Sequence, residues 1–395
     1  MAGPLDGIRI IDLTAMISGP FATMILADQG ADVIKVEIPG RGDHVRAGGN
    51  RSGGLPATFL NNNRNKRSIT IDLKNERGKD VLKKLASGAD VFVQNFRPGV
   101  VDRMGIGEAD IRAVSPDIIY VSISGFGEEG PFSHKPVYDP IIQALSGLAS
   151  VQGGGDKNRP RLVRTILPDK LTGVTASQAI TAALLVRART GTAQHVRLSM
   201  LDTVLSFLWS SDMGGQTFIG KEVTEAAAAS FIDLIYETKN GHMSVAVMND
   251  REWEGLCHAV ERPEWLEDER FKTPQQRDIH IDDRLELIQS RLVTDTTEAW
   301  MEKLDIHRVP CAPVLTRSAL LNHPQVKASS IIVESEHPDA GPLRQALPAA
   351  RFEKTPTSIR RAAPHLGADT DALLDEIGYA EDEIAELRKA KVVGH

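Results

Sequence analysis

The chain has 395 residues, 41% hydrophobic and 25% charged, with a formal net charge of −7 at pH 7. That length allows two domains and a substantial core, and the acidic balance excludes a general nucleic-acid binder. Only two cysteines occur, Cys257 and Cys311, without CxxC spacing, which excludes a disulfide framework and a zinc site and suits a reducing cytoplasm. The opening Met-Ala-Gly-Pro-Leu-Asp-Gly has no basic-then-apolar leader pattern, and no stretch is expected to reach the roughly 20 apolar residues of a membrane span.

Residues 7–13 read as a buried strand, Gly19-Pro20 opens a helix through Phe21–Asp28, and Ala31–Glu37 is a second strand. Such a βαβ unit implies a parallel pair with a right-handed crossover. The alternation continues with strand Ser68–Leu73, helix Glu76–Gly88 and strands Asp90–Gln94 and Asp117–Ser124. It predicts a Rossmann-like α/β core. Yet the first turn, Leu13-Thr-Ala-Met-Ile-Ser-Gly-Pro20, lacks the glycine fingerprint that lets a pyrophosphate approach a helix start. A nicotinamide dehydrogenase is therefore disfavoured.

Pro168 discourages a helix before it, and the apolar positions of 171–188 recur at helical spacing. Asp169 thus falls close to a helix start, where N–H groups and the macrodipole favour an ionised carboxylate. From spacing alone it reads first as an N-cap that merely holds the helix. Ala193–Leu201 reads as a further strand, followed by a helix to about Phe218. Phe231–Glu237 and His242–Val247 flank Lys239-Asn240-Gly241, a hairpin signal. Helical patterns follow at 251–260, 282–293 and 296–304, so 223–330 reads as a small α+β domain. The large domain is 1–222, completed by 331–395, whose loose proline-rich stretch leads into helices Asp369–Ile377 and Ala380–Ala390.

Lys74, Arg97 and Arg103 lie near the ends of successive predicted strands, with Asn95 and Phe96 beside them. Ligands of open α/β sheets bind beyond the carboxyl ends of strands, and cations with an amide and an aromatic suit a phosphorylated, adenine-containing ligand. Solvated surface charge is the alternative for the same cations. Cys311 has no base beside it in sequence and reads as structural.

Five motifs occur in a fixed order: Gly19-Pro20, Asn65-Lys-Arg-Ser68, Asn95-Phe-Arg-Pro-Gly99, Ser124-Gly-Phe-Gly127 with Gly130-Pro131, and a closing Thr355-Pro356 with Leu366-Gly367. In this order, with the acid at 169, they resemble the family III (CaiB/BaiF) CoA-transferases, which include formyl-CoA transferase, carnitine CoA-transferase and α-methylacyl-CoA racemase. The resemblance runs nearly end to end. It implies a carboxylate nucleophile at Asp169, coenzyme A contacts at Ile71, Lys74, Asn95, Phe96, Arg97, Arg103, Tyr138 and Asp139, and an interlocked homodimer. The reaction implied moves CoA from a donor thioester to a small carboxylic acid, with no metal, no membrane and no permanently bound cofactor; for a dicarboxylate, Arg46, Arg64 and Arg164 are the basic loop residues on offer to its second carboxylate. Ile17 stands where formyl-CoA transferases have glutamine, and Thr224–Ser230 where they have a glycine-rich loop. Tyr138 replaces the racemase histidine, while Asp250 falls near the racemase small-domain carboxylate and otherwise reads as an N-cap. Two alternatives remain at this point: a 2-methylacyl-CoA racemase and a non-catalytic CoA-binding homologue.

Overall fold

The computed structural model describes residues 3–155, 158–223 and 234–394. Six strands form the main sheet: β1 (Arg9–Asp12), β2 (Asp32–Glu37), β3 (Lys66–Thr70), β4 (Val91–Gln94), β5 (Ile119–Ser124) and β6 (His195–Ser199). All pairings are parallel, in the spatial order β3-β2-β1-β4-β5-β6. The order reverses between β1 and β4, and a crevice opens there beyond the strand ends. Helices α1 (Ser18–Asp28), α2 (Glu76–Ala86), α3 (Asp139–Leu145), α4 (Leu167–Thr190) and α5 (Met200–Trp209) accompany the sheet.

A parallel sheet covered on both faces needs apolar side chains pointing both ways. Accordingly Ile10 and Ile11 are both fully buried, on opposite sides. Ile10 joins Ala22 and Leu26 of α1 and Ala176, Ile180 and Leu184 of α4. Ile11 joins Val81 and Leu85 of α2. On that second face the cover is completed from the far end of the chain, where Leu373, Leu374, Ile384, Leu387 and Val393 pack into the same cluster. Each large aliphatic side chain so buried contributes about 1.5–3 kcal/mol.

The chain separates into two compact units, Met1–Ala228 with Ser330–His395, and Ala229–Ser329. The smaller has an antiparallel three-stranded sheet of β7 (Ile235–Thr238), β8 (Gly241–Val245) and β9 (Cys311–Pro313), with β8 central. Helices α6 (Asp250–Ala259), α7 (Ile281–Leu292) and α8 (Thr297–Ile306) pack with it around Trp253, Trp265, Phe271 and Trp300. In the larger unit the final segment forms a hairpin, β10 (Ile332–His337) with β11 (Gly341–Ala346), then α9 (Thr370–Glu376) and α10 (Glu381–Lys389).

Four local expectations need correction. The stretch read as a loose tail contains that hairpin, because its Glu-Ser-Glu and Arg-Gln positions hide the strand alternation. The helix after β6 stops at Trp209, not near Phe218, where Gly214 and Gly215 follow. Asn249, not Asp250, caps α6, its side chain accepting the Glu252 N–H at 3.0 Å. Finally, α4 is long and apolar enough, by length and composition, to cross a membrane. Ala176, Ile180, Ala183 and Leu184 on one side of it pack against α1 and the sheet, while Val174 and Leu185 are exposed.

The turn between β1 and α1 is fixed from below by buried charge. Lys66 has no exposed side-chain surface; its Nζ donates to Asp12 Oδ2 at 3.0 Å, Asn63 Oδ1 at 3.0 Å and the Pro20 carbonyl at 2.9 Å. Lys35, equally buried, donates to the Thr14 carbonyl and to Asp43, each at 2.9 Å. Asp12 also accepts the Thr14 N–H and the Thr23 hydroxyl, and Asp43 accepts the Met16 N–H. Burial works against the Asp12 charge, but Lys66 and Lys35 outweigh it and hold the carboxyl at about 2. Burial draws Lys66 down to about 8 against the attraction of Asp12, so both partners are ionised at pH 7. Removing one partner of such a pair strands the other charge. Lys66→Met is expected to lose about 3 kcal/mol of stability, read as a lower urea midpoint.

Candidate active site

Helix α4 meets α1 at a glycine. A Cβ on Gly173 would lie 2.8 Å from both the Ser18 carbonyl oxygen and Phe21 Cδ1, so only glycine lets the two backbones come this close. Asp169 lies one turn earlier on the same face of α4. The crossing therefore brings its carboxylate beside the first residue of α1, where the Ser18 hydroxyl and backbone N–H act to lower its pKa.

Asp169 is not the cap. The helix begins two residues before it, with Ile166 at the cap position and Pro168 inside the first turn, where its missing N–H costs nothing. The Asp169 N–H donates to Asp139 Oδ2 at 3.2 Å. Asp139 is 3% exposed, and its other oxygen accepts from Gln143 Nε2 at 2.7 Å. Gln143 in turn accepts the Val163 N–H at 2.9 Å, tying the segment before α4 to α3. Burial pushes the Asp169 carboxyl up to about 6, and the Asp139 carboxylate adds to the rise; the two Ser18 donors oppose it.

Both acids open onto a cavity of about 250 Å³ at the carboxyl ends of β4 and β5. Phe96, Ile123, Phe126 and Val137 give it apolar walls, and Arg97 and Lys135 bring two cations. The loop carrying Lys135 and Tyr138 sits tight against the end of β5, since a Cβ on Gly125 would meet Val137 at 2.2 Å. Met16, at φ 71, borders the cavity from the turn before α1. A non-glycine residue in this conformation is strained; Asp43 holds the Met16 N–H.

Of the residues singled out from sequence, Asp169, Asn95, Phe96, Arg97, Tyr138 and Asp139 line this one cavity. Asn95 spends its amide on the turn, accepting the Ala15 N–H at 3.0 Å and donating to the Ala15 carbonyl at 2.8 Å. Arg103 reaches back over its own loop, its Nη1 being 3.0 Å from where a Gly99 Cβ would sit. Lys74 is exposed, and Ile71 is fully buried in a bridge with Val393; neither lines the cavity. Arg46 and Arg64 are not available for a substrate, because Glu37 and Asp28 hold them in buried ion pairs; Arg164 is exposed. Sequence reasoning missed Ser18, Lys135 and Gln143. Ser18 before Gly19-Pro20 carried a weak signal, as the donor-rich start of a helix.

Comparison with known proteins decides the family. Residues 5–370 match the model of CoA-transferase family III. The chain belongs to that family. It is 34% identical over 398 residues to the human succinyl-CoA:glutarate CoA-transferase, covering 99% of this chain and 90% of that protein. It is also 34% identical over 415 residues to the formyl-CoA:oxalate CoA-transferase of Shigella sonnei, covering 98% and 99%. A crystal structure of a CaiB/BaiF family protein from Brucella suis superposes with a TM-score of 0.85 at 29% identity, over 95% of this chain and all of that one. The protein is thus a CoA-transferase of mixed α/β fold, and the dehydrogenase reading falls away.

Two family features met in the sequence have structural outcomes. Ile17 is buried as the residue preceding α1, and contributes no polar group to the cavity. Thr224–Ser230, the counterpart of the glycine-rich loop, lies outside the described residues.

Because Asp169 has a higher pKa folded than its ordinary 3.8, its charge opposes folding above about pH 6 and ceases to do so as the pH falls toward 4. Asp169→Asn is therefore expected to gain about 1–2 kcal/mol of stability at pH 7, after allowance for solvent screening. Denaturant titrations should show the gain vanish near pH 4.

Proposed function

We propose that the protein is an acyl-CoA:carboxylate CoA-transferase in which Asp169 is the covalent nucleophile. The observation that carries this reading is the meeting of the Asp169 carboxylate with the donor-bearing start of α1, on a cavity edged by Asn95, Phe96 and Arg97. The Asp169 carboxylate attacks the donor thioester carbonyl, forming an aspartyl–acyl anhydride and releasing CoA thiolate. The thiolate attacks the aspartyl carbonyl, which forms the enzyme–CoA thioester and frees the donor acid. The acceptor carboxylate then attacks that thioester, and the returning thiolate takes the acceptor acyl group, restoring Asp169. Each step exchanges one acyl bond for another.

Ser18 has a defined part in that sequence. Its N–H and hydroxyl, which lower the pKa of the resting carboxylate, would stabilise the oxyanion formed when thiolate adds to the aspartyl carbon. Phe96, Arg97 and Tyr138 are the cavity residues proposed to hold CoA, with Arg103 close to the same loop; Asn95 acts through the backbone it fixes, and Asp139 through Asp169. Lys74 and Ile71 would meet only a more distant part of the carrier. An interlocked homodimer belongs to the same proposal.

The acceptor we favour is a short dicarboxylate, the class named by the human relative's glutarate. With Arg97 given to CoA, Lys135 on the cavity lining supplies the cation for the carboxylate that does not react. Racemisation requires a base beside the thioester α-carbon; the cavity offers the phenol of Tyr138 there in place of an imidazole, and the Asp250 carboxylate is engaged by Arg277.

Asp169→Asn is expected to cut CoA transfer between succinyl-CoA and a dicarboxylate by at least about a thousandfold, with CoA affinity by calorimetry within a few-fold of wild type. Near-normal turnover would overturn the mechanism.

A further inference from the structure

The Asp169 carboxylate sits where a helix start ought to make it a weak nucleophile. It occupies the first turn of α4, and Ser18 adds two donors from the first residue of α1. Helix N-termini and hydrogen bonds to a carboxylate both stabilise its charge and lower its basicity. A reaction that begins with attack by that carboxylate needs the opposite.

The group that answers this is Asp139. Its carboxylate caps the N–H of Asp169 itself, so part of the positive end of α4 is already met by another anion. The acid is almost fully buried, which confines its negative charge to the neighbourhood of Asp169. Gln143 holds the second oxygen and is itself held by backbone at Val163, so the carboxylate cannot swing away. We propose that Asp139 is a positioning residue that keeps Asp169 nucleophilic, by taking up the helix-start donor and placing a fixed negative charge beside the reacting carboxylate. The inference deepens the covalent mechanism above and rests on it.

Other charged groups do not supply this effect. Lys170, next on α4, turns its ammonium to the Thr165 hydroxyl at 2.8 Å. Arg97 and Lys135 line the cavity from their loops, Lys135 with its ammonium over the Phe132 ring. From α1 the facing groups are the uncharged Ser18 donors. Among the described residues, Asp139 is thus the charged side chain whose interaction with Asp169 raises its pKa.

The test is the titration of Asp169 in Asp139→Asn, read by carbon-13 NMR of labelled aspartate side chains without substrate, alongside the pH profile of kcat. Asp169→Asn identifies the resonance. The Asp169 midpoint, about 6 in the wild type, should fall by about one pH unit or more in Asp139→Asn. The acid limb of kcat should follow it, and the plateau rate should drop about three- to tenfold as nucleophilicity falls with basicity. Gln143→Ala keeps the charge while loosening its support, so its midpoint should fall by less than in Asp139→Asn. Should Asp139→Asn not fold, Asp139→Ser carries the same expectation. An unmoved midpoint in the neutral variants, or an equal fall in Gln143→Ala, would overturn the proposal. The NMR midpoint does not depend on turnover, so failure of the covalent mechanism, seen as activity in Asp169→Asn, is a separate result.

Discussion

The buried Lys66 ammonium is tolerable only while Asp12, Asn63 and the Pro20 carbonyl surround it, and those groups come from β1, a short helix at 57–63 and α1. A charge with no route to water must find all its partners inside. That demand fixes the path of the chain from Asp12 to Pro20. Lys35, Asp43 and Asn95 then secure the intervening Thr14, Met16 and Ala15. The turn is consequently rigid where it passes the cavity, and Ser18 is presented from it without a glycine-rich phosphate loop. A fold that usually receives a dinucleotide at this point has its first turn packed with side chains instead.

The second half of the site depends on close approach. Gly173 lets α4 lie against α1, and this converts a helix-start aspartate into one whose carboxylate faces a second helix start. Burial and Asp139 push its pKa up while the Ser18 donors pull it down. The balance leaves an acid that is mostly ionised at neutral pH and remains more basic than an exposed aspartate. Such a balance suits the proposed nucleophile, which must be ionised to attack and basic enough to do so well.

Much of this was legible beforehand because it is local or periodic. The βαβ alternation led to the parallel sheet, and the absence of the glycine fingerprint turned attention away from a dehydrogenase. Ordered motifs brought out the family, and six of the nine site residues named from it share one cavity. What stayed hidden is long-range. Nothing near Arg46 or Arg64 in sequence announces that Glu37 and Asp28 hold them, and Gln143 is an ordinary helix residue until Val163 is placed against it. The Ile332–Ala346 hairpin was obscured by charged residues on its exposed positions. Pro168 misled the helix boundary because proline stops a helix from the middle but is accommodated in its first turn.

The most direct measurement is mass spectrometry of the Asp169-containing peptide, isolated after the protein is mixed with donor acyl-CoA and quenched with or without hydroxylamine. A CoA thioester is expected on Asp169, converted by hydroxylamine to the aspartyl hydroxamate and absent before donor is added. An Asp169 peptide that stays unmodified while transfer proceeds, or an adduct carried by another side chain, would contradict it.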